Sequence, residues 1–79
     1  MRRTSEAFTF QGYKITIKTI ERRDGRIQVE ATAHREGRSA LAESYTVSPE
    51  HPSPQATRSV QTHAMLSMRK RIKEDRCGA

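Results

Sequence analysis

YKITIKTIERRDGRIQVEATA, residues 13–33, is the stretch whose reading decides the fold. Tyr13, Ile15 and Ile17 alternate with Lys14, Thr16 and Lys18, and Ile27, Val29, Ala31 and Ala33 alternate with Gln28, Glu30 and Thr32. A period of two marks strands with one dry face. Between the two runs lies Arg22-Arg23-Asp24-Gly25-Arg26. A two-residue Asp-Gly loop would set Ile17 against Thr32 and Ile15 against His34, mixing apolar and polar side chains on one face. A three-residue loop of Arg23, Asp24 and left-handed Gly25 sets Ile17 against Ala31 and Ile15 against Ala33. Only the second register keeps a face apolar, so the second is predicted.

Working toward the C-terminus, Arg35-Glu36-Gly37-Arg38 repeats the turn chemistry and leads into a strand over 41–47. Treated the same way, this turn pairs Leu41 with Ala31 and Tyr45 with Ile27. Leu41, Tyr45 and Val47 then join the apolar face, with Glu43 as its discordant member. Residues 48–53 carry two prolines and end before a third, so no regular element crosses them. Ser53 is a good N-cap and Pro54 suits the first helical position. A helix is predicted over 54–75, with Val60, Ala64, Met68 and Ile72 every fourth residue and Met65 beside them. Residues 76–79 read as terminal coil.

Working toward the N-terminus, Phe8 and Phe10 continue the alternation on even positions, and the parity flips across Gly12. A glycine bulge within one long strand accounts for such a flip. Residues 1–6 read as a loose basic tail. The prediction is therefore one small α+β domain over 1–79. A three-stranded antiparallel β-meander (7–47) packs on one C-terminal α-helix, a β-β-β-α two-layer sandwich.

Composition bounds the function. The chain has 79 residues, a net charge of +6 and 33% hydrophobic residues, with a mean hydropathy of -0.88 and a pI near 10.3. Such a charge favours acidic partners: nucleic acid, an anionic membrane surface or an acidic protein. No run approaches the ~20 apolar residues of a membrane span, and Met-Arg-Arg-Thr-Ser-Glu is not followed by the apolar run of a secretory signal. Cytoplasmic residence is the resulting expectation. The single cysteine, Cys77, has no disulfide partner, and three histidines without paired cysteines predict no metal site and no cofactor. His34, His51 and His63 are not spaced with any nucleophile or paired carboxylate, and the expectation is a protein that is not an enzyme.

The candidate nucleic-acid contacts are Arg69, Lys70, Arg71 and Lys73, four cations within five positions near the helix end, with Lys14 and Lys18 on the outward sheet face. Cations there also complement the negative end of the helix dipole, and a charge run is commonly just a solvated face. The outward face lacks the aromatics on which single-stranded bases stack, so the contact expected is with the phosphate backbone. The alternative is a protein-interaction subunit or homodimer with no nucleic-acid role. Its candidate patch is Phe8, Phe10, Ile20 and Leu66, all of which fall off the predicted core face.

Overall fold

A computed structural model describes residues 2–77, with side chains described through residue 75. Five elements follow in chain order: β1 (Arg2–Phe10), β2 (Tyr13–Glu21), β3 (Ile27–His34), β4 (Leu41–Val47) and α1 (Pro54–Cys77). The strands form one antiparallel sheet in sequence order, and α1 lies across one of its faces, chiefly over β2 and β3. The α+β two-layer architecture is as predicted, with four strands in place of three. The helix continues through residue 77, two residues beyond its predicted end. The rest of the predicted coil, Gly78 and Ala79, lies outside the described residues, as does Met1 of the predicted tail.

The fourth strand comes from the N-terminal segment. Gln11 (φ 50°) and Gly12 (φ 84°) are both left-handed, the backbone of a two-residue hairpin turn, and Phe10 pairs directly with Tyr13. The parity flip is thus a chain reversal and not a bulge. Residues 2–6 extend the ladder that Phe8 and Phe10 begin, Arg2 opposite Glu21 and Glu6 opposite Ile17. They are strand, not loose tail. Phe8 and Phe10 face the helix, opposite Ile15 and Tyr13, and pack against the core. Their assignment off the core face is corrected by the same reversal.

The β2–β3 hairpin has the predicted register, with Ile17 opposite Ala31 and Ile15 opposite Ala33. Gly25 is left-handed (φ 88°), and Arg22 N–H donates to the Arg26 carbonyl at 2.8 Å. The β3–β4 register differs from prediction by two residues: Leu41 lies opposite Ala33 and Tyr45 opposite Val29. The turn closes with Arg38 N–H on the Arg35 carbonyl at 3.1 Å, and Ser39 and Ala40 pass before pairing resumes. A slip of two leaves side-chain parity unchanged, so Leu41, Tyr45 and Val47 still face the helix, each half-buried.

Between the layers Tyr13, Ile15, Ile17, Ile27, Val29, Ala31 and Ala33 from the sheet meet Ala64, Met68 and Ile72 from the helix, all buried. Val60, Met65, Phe8, Phe10, Leu41 and Tyr45 border them. Ser53 caps the helix as predicted, its Oγ accepting the Ala56 N–H at 3.1 Å. Met68 is fully buried at the centre of the helix stripe. Met68→Ala is expected to lower unfolding stability by about 2–5 kcal/mol, measured by chemical denaturation. A loss below about 0.5 kcal/mol would mean that the helix does not seat there.

Candidate nucleic-acid interface

The helix is held to the sheet by polar contacts along its length, and these fix where its cations fall. Near its start, Thr57 Oγ1 donates to Glu21 Oε1. One turn on, Gln61 Nε2 donates to Thr4 Oγ1 at 3.2 Å and to Thr19 Oγ1 at 3.3 Å, which satisfies the one buried polar residue of the sheet, Thr19. Ser67 Oγ donates to Glu43 Oε2 at 3.2 Å, so the discordant Glu43 of β4 meets the helix. Tyr13 Oη donates to Asp75 Oδ2 at 2.8 Å. The C-terminal turns of α1 are therefore tied to the end of the sheet that carries the β1–β2 and β3–β4 turns.

The cation cluster divides around that anchor. Arg69 stacks over the Phe10 ring with Cζ 4.6 Å from its centroid, and Lys73 Nζ lies 5.9 Å from the same centroid. Arg71 leaves the opposite flank of the helix and donates from Nη1 to the Ala42 carbonyl at 2.8 Å. Lys70 is exposed. Arg35 follows His34, the partner of Lys14, and so lies beside Tyr13, its Cζ 5.9 Å from the ring centroid. Its Nε would be 3.2 Å from a Cβ built on Gly12. Arg38 also lies close enough to act on the Tyr13 phenol. The two turns and the helix end thus place Arg35, Arg38, Arg69, Lys70 and Lys73 at one end of the molecule, with Arg35 and Arg69 over the paired rings of Tyr13 and Phe10.

Among the described residues the ion pair within 4.0 Å is Arg26 with Asp24, at the far end of the sheet. The cations around Phe10 therefore have no carboxylate at pairing distance there, and Asp75 is engaged by Tyr13. The other predicted contacts sit elsewhere. Lys14 and Lys18 are on the open face of the sheet, where Lys18 lies opposite Glu30. In the predicted interaction patch, Phe8 and Phe10 face the helix side, Ile20 is on the open face and Leu66 is 53% exposed on the outer side of α1. These four do not share one surface.

Arg35 and Arg38 are not among the sequence-predicted contacts, because consecutive hairpins of a meander point to opposite ends of the sheet and the arginines of the two turns cannot form one patch by themselves. The missing signal was helix direction. A helix starting beside Glu21 and running 24 residues ends beside the β3–β4 turn. Among the described residues no cluster of histidine, cysteine and carboxylate suits a metal, and no helix is long and apolar enough to cross a membrane. No family model matches the chain, and neither curated proteins nor solved structures give a match.

Both tyrosines hold their protons unusually tightly. The hydrogen bond to Asp75, then burial, then the Asp75 charge raise the Tyr13 pKa, opposed by Arg38 and Arg35. Burial and then the Glu43 charge raise that of Tyr45. The unfolded chain would release these protons first, near pH 10, so the tyrosines' contribution to stability is fully present below that pH and is lost as pH rises past it. Denaturant melts from about pH 9 to about pH 11 are expected to show this fall, and Tyr13→Phe to flatten it. An unchanged slope in Tyr13→Phe would remove Tyr13 from the account.

Proposed function

We propose that the protein is a small non-enzymatic binding module that grips nucleic-acid phosphates at the end formed by the α1 C-terminus and the β3–β4 turn. The observation that carries this reading is that Arg35 lies over Tyr13 while Arg69 and Lys73 lie over its cross-strand neighbour Phe10, with Arg38 and Lys70 at the same end of the molecule and no ion pair there among the described residues. Arginine forks match phosphate oxygens bidentately, and stacking of Arg69 on Phe10 pre-orders its guanidinium at low entropic cost. Recognition is of the backbone and not of bases. Tyr13 is buried, Phe10 is covered by cations, and the open sheet face carries no phenylalanine, tyrosine or tryptophan and a single histidine, His34, at its end, so no extended platform for base stacking is offered.

A second reading, interaction with another protein chain through a sheet edge, is favoured by β1. It is a nine-residue outer strand, and none of its edge backbone groups is engaged by a side chain of the described residues.

The first reading predicts steep salt dependence. Five phosphate contacts on duplex DNA give a fall in affinity of roughly 500-fold between about 50 and about 200 mM salt, read by fluorescence anisotropy. Arg69→Glu with Lys73→Glu is expected to weaken binding more than tenfold at the lower salt. Arg22→Glu with Arg23→Glu, an equal change of net charge at the opposite end, should cost far less. Equal losses from the two pairs would reduce the effect to bulk charge, and no binding at low salt would end the proposal.

A further inference from the structure

The two outer strands of the sheet are not alike. In a two-residue hairpin the closing pair exchanges both backbone hydrogen bonds, and bonded and unbonded pairs then alternate along the ladder. From Phe10 and Tyr13 this alternation runs across the whole sheet. It turns the N–H and C=O groups of Arg3, Ser5, Ala7 and Thr9 outward on β1, and those of Ala42, Ser44 and Thr46 outward on β4. The Arg71 contact agrees with it, since the carbonyl it takes is that of Ala42. β4 is thus a seven-residue edge with one outward group occupied by an arginine. β1 has nine residues, no proline, and an unbroken register from Arg2 to Phe10. Short length, covering side chains, prolines, bulges and charged side chains are the usual defences of a sheet edge. β1 has only the last of these, in Arg2, Arg3 and Glu6, and those charges are of both signs.

We infer that the β1 edge pairs antiparallel with β1 of a second copy of this chain, joining two sheets into one of twice the width. The proposal rests on the sheet-edge reading above and names its edge, partner and register. Self-pairing must join outward groups, so its two-fold centre falls on a residue and the choice among Thr4, Ser5 and Glu6 is made by side chains. Centring on Glu6 sets two like carboxylates directly opposite, which destabilises a strand pair. Centring on Thr4 engages only 2–6. Centring on Ser5 engages 2–8 through the bonded pairs Ser5 with Ser5 and Arg3 with Ala7, each exchanging two hydrogen bonds. It places Arg2 opposite the half-buried Phe8 of the second copy and diagonal to the second copy's Glu6, where both the ring and the carboxylate attract a guanidinium. The strand is self-complementary in that register, which argues for a second copy over an unrelated peptide.

Sedimentation equilibrium of the full chain from about 10 to about 500 µM tests this, a range suited to a small interface. The mass is expected to rise from 9.0 kDa toward twice that value. Ala7→Pro removes an outward N–H that the folded monomer does not use, and proline is accepted on an edge with that orientation. It should abolish the dimer and leave the melting temperature of the monomer unchanged. Glu6→Arg, a change of charge alone on an exposed side chain, should raise the dissociation constant at least tenfold, and Ser44→Pro on β4 should not. A monomer throughout the range overturns the proposal, as does a dimer indifferent to both β1 variants. A dimer lost in Ser44→Pro and kept in Ala7→Pro overturns the choice of β1 and leaves edge pairing standing.

Discussion

Alanine opposite isoleucine is the constraint on which the rest of this structure depends. Ile17 faces Ala31 and Ile15 faces Ala33 across the centre of the sheet. The two strands therefore present tall and short side chains side by side, and the helix sits over the step with its own small residue, Ala64, and the pliable Met68. Close-packed layers leave little freedom in such an arrangement. Once the stripe of Ala64, Met68 and Ile72 is seated, the direction and rotation of α1 are set, and with them the positions of every polar residue on its flanks. Thr57, Gln61, Ser67 and Asp75 each find a partner on the sheet. Each bond adds little net stability, but leaving any of those buried partners unpaired would be costly. The polar contacts select the docking that the apolar ones drive.

The charged end follows from that docking. The helix places Arg69 and Lys73 beside the ring of Phe10, and the β3–β4 turn lays Arg35 over Tyr13. Both rings accept cations on their faces, so like charges are brought together against aromatic surface and not against carboxylates. Asp75, an acid in the last turns of the helix, is committed to the Tyr13 hydroxyl. Engaging that carboxylate with a neutral donor leaves the neighbouring cations free to meet an external anion. Arg71 is the exception, since its guanidinium is held by the Ala42 carbonyl on the β4 edge.

What the sequence made legible was whatever parity alone controls. The core face from Tyr13 to Val47, the β2–β3 register and the Ser53 cap followed from alternation, from turn chemistry and from one serine before a proline. Two features were hidden because parity does not distinguish them. A bulge at Gly12 and a hairpin at Gln11-Gly12 flip the alternation identically, and Gln-Gly lacks the Asn or Asp that usually announces a tight reversal. A β3–β4 register differing by two keeps every side chain on its face, so no burial argument could detect it. The site was less legible than the fold. Arg69 and Lys73 were visible as a run, but joining them to Arg35 and Arg38 required knowing which end of the sheet the helix reaches. That is a tertiary fact with no local signature.

Edge pairing and a net charge of +6 pull in opposite directions, since two copies repel at long range. The shape of the molecule resolves the opposition. The protein measures 41 by 18 by 16 Å, and its arginine-rich turns lie at the two ends of the long dimension. The band between them interleaves signs: Glu6 on β1, Lys18 opposite Glu30 on the open face, and Glu43 on β4. With a screening length of about 8 Å at physiological salt, charges at the far poles contribute little where two strands meet near Ser5. Local pattern decides there. Arg2 and Glu6, four residues apart on one strand, supply opposite charges that an antiparallel copy brings within reach of each other. The same chain can therefore present a basic end to a polyanion and an electrically mixed edge to itself, because the pairing is centred on Ser5 and the basic end lies beyond Phe10, the last residue of the same strand.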